Sequence, residues 1–153
     1  MSQIEQSIEV EVPVSTAYNQ WTQFEKFPEF MDSIQQVRQL DETHLHWVAE
    51  VGGKTHEWDA VITEQIPDER VAWKSTDGTD NAGVVTFHRL SDSRCKIMVQ
   101  IGFEPEGVIE KIGSMLGTDE RQVKADLAKF KTMIESRGAE TGAWRGEVPA
   151  DNA

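Results

Sequence analysis

Thr118-Asp-Glu-Arg-Gln-Val-Lys-Ala-Asp-Leu-Ala-Lys-Phe-Lys-Thr-Met-Ile-Glu-Ser-Arg137 carries a helical period from end to end. Val123, Leu127, Phe130 and Ile134 recur at i, i+4, i+7 and i+11, one stripe of an α-helix. Lys124, Asp126, Lys129, Lys131 and Glu135 fall elsewhere on the wheel and are expected in water. Thr118 is a suitable N-cap, because its hydroxyl accepts from an orphan backbone N–H one turn in. Asp119 and Glu120 place negative charge at the positive end of the helix dipole. Arg137-Gly138 predicts the stop. Such a helix is roughly 30 Å long, about the length of a ten-residue strand. With one apolar stripe it needs a sheet to cover it.

The sheet is legible upstream. Ile4, Ile8, Val10 and Val12 share parity against Glu5, Ser7, Glu9 and Glu11, the alternation of a half-buried strand that Pro13 ends. Ser15 or Thr16 is expected to cap a short helix through Ala17, Tyr18 and Trp21. Phe24, Phe27, Phe30 and Met31 around Pro28 predict a second short helix or aromatic turn. From Ser33 the period is two for about seventy residues. Leu45, Trp47, Ala49 and Val51 share one face of a strand, and Gly52-Gly53 is a hairpin signal. Trp58, Ala60 and Ile62 face inward, followed by Val71, Trp73 and Ser75 after a turn at Pro67-Asp68. Gly83, Val85 and Phe87 continue that face, and Ile97, Val99, Ile101 and Phe103 complete it before Pro105. Strands grouped in sequence, then one long helix, predict an α+β domain with an antiparallel sheet of about seven strands. Residues 1–137 form the domain, and the Gly-, Ala-, Glu- and Pro-rich residues 138–153 are expected to be a mostly mobile tail. Trp144 in that tail reads either as exposed or as an anchor onto the body or a second subunit, so a homodimer stays open.

Bulk composition narrows the partners. The chain has 153 residues, suited to one domain. Its formal charge of −12 argues against nucleic acid and against a seat on anionic lipid. No apolar run approaches the roughly 18 residues of a spanning helix, and the first residues lack the basic and apolar regions of a signal peptide. Cys95, the single cysteine, has no partner for an internal disulfide. These features predict a cytoplasmic protein without stable membrane insertion.

The stretches Glu11-Val-Pro-Val-Ser-Thr-Ala-Tyr-Asn-Gln-Trp21, Phe27-Pro-Glu-Phe-Met31 and Trp58-Asp-Ala-Val-Ile-Thr-Glu64, with Asn81-Ala-Gly-Val-Val-Thr-Phe87 and Gly142-Ala-Trp-Arg-Gly146, resemble bacterial SRPBCC proteins of the START/birch-pollen-allergen superfamily. The likeness is to polyketide cyclase/dehydrase-like and coenzyme Q-binding-protein-like members and runs from Ile4 to about Val148. It implies a helix-grip fold, with two short helices after the first strand and a curved sheet wrapped around the C-terminal helix. It also implies a cavity between sheet and helix for a lipid, quinone, steroid or polyketide.

The residues point the same way without naming a ligand. Trp47, Trp58 and Trp73 fall on the inner face, where indoles either fill a core or line a hollow. Read as lining, the sheet contributes Trp47, Trp58, Trp73, Ser75, Val85, Phe87, Ile101 and Phe103. The helical side contributes Met115, Leu116, Val123, Leu127 and Phe130, with Gly113 and Gly117 reading as a lid hinge or a packing kink. His44 and His46 share the outer strand face without a third ligand at zinc spacing, His56 sits by a hairpin, and His88 has outward parity. Cys95 lies between Arg94 and Lys96, whose charges would lower a thiol pKa, although a structural thiol is the simpler reading. Glu57 and Asp59 have outward parity, and no hydrolase, dinucleotide or Walker motif is present. The expected function is binding or transport of a hydrophobic small molecule, with no catalytic residue, metal or cofactor assigned. A polyketide aromatase/cyclase and a protein-interaction module are the alternatives.

Overall fold

In the computed structural model the described residues are 4–32, 34–51, 53–78, 82–101 and 120–148. They form β1 (Ile4–Val10), α1 (Val14–Trp21), a 3-10 helix (Phe24–Glu29), and β2 (Ile34–Gln39). β3 (His44–Val51), β4 (Lys54–Ile66), β5 (Arg70–Gly78), β6 (Ala82–Ser91), β7 (Arg94–Ile101) and α2 (Glu120–Arg137) follow. One seven-stranded antiparallel sheet runs β1-β7-β6-β5-β4-β3-β2, so the first strand closes against the last. This is the helix-grip fold expected from the resemblance, a curled half-barrel holding a C-terminal helix.

The buried stripe of α2 is Val123, Leu127, Phe130 and Ile134. It packs with Val10, Val85, Ile97 and Val99 from the sheet in one core. The polar flank ties the helix to the β1 end: Lys131 Nζ donates to Glu9 O at 2.9 Å, and Glu135 Oε2 accepts from Glu11 N at 2.8 Å. Gly138 ends α2 with φ 72°, its N–H donating to Ile134 O at 2.8 Å, the left-handed cap that a side chain would strain.

Three details differ from the sequence expectation. α1 begins at Val14 with Pro13 in the cap position and no side-chain cap, so neither Ser15 nor Thr16 serves. Proline already holds the required φ, and Ala17 N donates to Pro13 O at 3.2 Å. β4 has irregularities at Asp59/Ala60 and Ile62/Glu64. The second places two half-buried residues, Thr63 and Glu64, before the next buried one, Gln65. Residues 138–148, expected as a mostly mobile tail, lie against α1 and the β4–β5 turn. Gln65 and Val148 exchange backbone bonds of 2.8 Å, and Trp144 N donates to Thr22 Oγ1 at 3.1 Å. Trp144 is half-buried, its ring laid over Gly146, where a Cβ would collide with it. Phe103, Met115, Leu116 and the Gly113–Gly117 hinge lie outside the described residues, as does the Thr118 cap. Among the described residues no helix is long and apolar enough to cross a membrane.

Candidate functional site

A cavity of about 100 Å³ opens between the concave face of the sheet and the N-terminal half of α2. Its sheet wall begins with a cross-strand pair. Trp47 on β3 sits opposite Trp58 on β4, and the two indoles stack with centroids 5.6 Å apart and planes 8° apart. Val71 and Trp73 on β5, Val85 on β6 and Ile101 on β7 continue the wall. Trp73 lies across Gly83, its register partner on β6. A Cβ there would stand 2.8 Å from the indole and 2.6 Å from Gln100 O, so only glycine lets this ring lie where it does. Val123 and Leu127 supply the helical wall, and Trp21, Phe24, Phe27 and Met31 close one end.

Seven of the predicted lining residues therefore reach the hollow: Trp47, Trp58, Trp73, Val85, Ile101, Val123 and Leu127. Phe87 and Phe130 do not. Phe87 meets Tyr18 edge-on at 5.4 Å, and Phe130 meets Trp21 and Phe30 at 5.1 Å each, filling the core beside the cavity. Parity gives the face of an element but not the depth along it, and at that level α1 and the 3-10 helix already occupy the space. Ser75, half-buried opposite Ala60, stands outside the cavity wall. The aromatic end wall was visible as a cluster around Pro28, yet nothing in its spacing says which sheet face it meets.

Asp126 is the ionisable residue of the described wall, and it was expected in water. At 100° per residue it sits about 60° from Val123, on the flank of the apolar stripe. Among the described residues neither the Trp47 nor the Trp58 indole N–H has a hydrogen-bond acceptor, although the two residues are only 8% and 4% exposed. A buried donor left unmade costs about 1–3 kcal/mol.

The other candidates lie elsewhere. His46 is on the outer face, its Nδ1 2.7 Å from Asp59 and its Nε2 3.1 Å from Glu57. The hydrogen bond to Asp59, supported by Glu57, raises its pKa above the usual histidine value. His44 pairs with Asp41 at 2.9 Å. Among the described residues no group of three His, Cys, Asp or Glu is placed to hold a metal. Cys95 points inward on β7 and is 0% exposed, while Arg94 and Lys96 alternate to the other face. Burial pushes its thiol up to about 11 rather than down. At pH 8 such a thiol is about one part in a thousand thiolate. Folded protein is expected to resist a charged thiol reagent and to react stoichiometrically once unfolded in urea. Labelling of the folded chain at the rate of free cysteine would show that Cys95 is reached without unfolding.

A family model described as polyketide cyclase/dehydrase and lipid transport matches residues 10–132. An uncharacterized 17.2 kDa protein from the melC2-rnhH intergenic region of Streptomyces lincolnensis is 58% identical over 97% of this chain and 99% of its own. Among solved structures, the Zhui aromatase/cyclase of a Streptomyces species superposes with TM-score 0.72 at 14% identity, over 94% of this chain and 99% of that one. A START superfamily protein of Mycobacterium smegmatis gives 0.67 at 14%, covering 88% and 98%. A Deinococcus radiodurans protein gives 0.70 at 22%, covering 90% and 99%. At these identities the structural likeness concerns the fold.

Proposed function

The chain belongs to the polyketide cyclase/dehydrase and lipid transport family, and from that premise we propose that it binds a hydrophobic small molecule, of the lipid, quinone or polyketide-like kind, between sheet and C-terminal helix. The observation that carries this reading is an apolar hollow walled by Trp47, Trp58 and Trp73 inside an otherwise well-packed core. Its mechanism is desolvation: each Å² of apolar ligand surface leaving water contributes about 25 cal/mol, so ~200 Å² contributes ~5 kcal/mol before the cost of association. The hollow is close in scale to the roughly 150 Å³ apolar cavity that admits benzene. A ligand larger than a single ring needs a wall side chain such as the half-buried Met31 to turn aside.

Trp58→Ala and Trp73→Ala are each expected to weaken a neutral apolar fluorescent dye about tenfold, the equivalent of ~1.4 kcal/mol. If both variants remain folded by circular dichroism and titrate the dye unchanged, the binding reading fails. A second reading, a cyclase folding a reactive polyketide in the same hollow, is favoured by the carboxyl group of Asp126 at its wall. Asp126→Asn separates the two readings, since a carrier retains binding and has no turnover to lose.

A further inference from the structure

We propose that Trp73, seated over Gly83, sets the specificity of this cavity: it narrows the hollow to a slot that takes a flat ring and turns away a puckered ring or an acyl chain. The inference rests on the binding role proposed above. The walling side chains of the sheet reach from Trp47 on β3 to Ile101 on β7, across five neighbouring strands. Strands lie about 4.8 Å apart, so that wall is roughly 15–20 Å broad even on a curled sheet. Only about 100 Å³ lies between it and Val123 and Leu127 of α2. So small a volume under so broad a wall is thin.

Gly83 decides how thin. It is the register partner of Trp73 and stands outside the wall, because the Cζ2–Cη2 end of the indole covers it and takes the place of a side chain. A Cβ at 83 would stand 2.8 Å from that ring and 2.6 Å from Gln100 O. Gln100 belongs to the β6–β7 ladder, where it pairs with Val84, so the indole is the neighbour that yields. Trp73 already borders the hollow, and a ring that yields there enters the slot. With glycine beneath it the ring stays low and the slot stays open by the thickness of a flat ligand. Contact between aromatic rings adds to the area term, whereas an acyl chain gains the area term alone.

The test titrates phenol, cyclohexanol and pentanol by calorimetry, three neutral alcohols of similar hydrophobicity, with the fluorescence of N-phenyl-naphthylamine reporting on the cavity itself. The wild-type protein is expected to bind phenol about fivefold tighter than either of the others. Trp73→Leu removes the flat wall and deepens the slot, so the preference for phenol is expected to disappear and cyclohexanol to gain. Gly83→Ala is expected to weaken all three about tenfold. In the Trp73→Leu background the same change should cost far less, since no indole is left to displace, a coupling that a general loss of stability does not produce. Where Gly83→Ala fails to fold, the series on the wild-type protein and on Trp73→Leu decides alone. Dye binding without a preference for phenol, or a preference unchanged by Trp73→Leu, overturns this inference and leaves the binding role standing. No binding of dye or alcohol overturns both.

Discussion

Phe130→Ala is expected to lower the free energy of unfolding by about 3–5 kcal/mol, the range for deleting a fully buried phenyl ring. Phe130 is 0% exposed and touches two other rings, Trp21 and Phe30, each 5.1 Å away between centroids. It joins α2 to α1 and to the segment before β2 at one point, so a void there is shared by three elements. Close packing leaves little freedom to collapse into it. For a chain of this length, each kcal/mol corresponds to about 2–4 °C of melting temperature, giving a fall of about 6–20 °C. Urea and thermal denaturation measure it directly. A loss below about 1 kcal/mol would mean that this ring borders open space rather than filling the core.

Arg145 is the second case. Its guanidinium makes a forked pair with Asp68 at 3.0 and 2.8 Å, reaches Asn19 Oδ1 at 2.6 Å, and lies 5.5 Å from the Tyr18 ring centre. Hydrogen bonding to Asp68 holds its pKa above the usual arginine value. The ion pair is 42% and 34% exposed, so it is discounted to the ~0.2–1 kcal/mol of a solvated bridge. The contact with Tyr18 adds about 0.5–1 kcal/mol. Arg145→Ala is therefore expected to cost about 1–2 kcal/mol. Truncation after Arg137 should cost at least as much, because it also removes the Gln65–Val148 backbone pair that fixes the bulged end of β4. Lysine is not an equivalent replacement, since it lacks the planar fork. If truncation leaves the melting temperature unchanged but dissolves a dimer, the segment works between subunits rather than within one.

These two residues mark the boundary between what is local and what is not. Val123, Leu127, Phe130 and Ile134 were legible as one helical stripe because a 3.6-residue period is a property of the chain alone. The first pair walls a hollow and the second pair fills a core, a distinction that depends on Trp21 and Phe30 arriving from a distant segment. Alternation likewise revealed the inward faces of Trp47 and Trp58, because side chains in a strand have a period of two wherever they occur. It did not reveal that the two would lie opposite each other and stack, nor that a bulge would turn Gln65 inward to donate to Tyr18 Oη at 3.0 Å.

The sequence by itself determined the order of elements, the inner faces of the strands, the amphipathic helix and the turn at Gly138, since each follows from neighbours a few residues apart. Only the tertiary structure decided how deep along those elements the cavity runs, that Asp126 reaches its wall, and that residues 138–148 dock on α1 through Arg145. Those outcomes depend on contacts between residues as many as 126 positions apart, which no local pattern encodes.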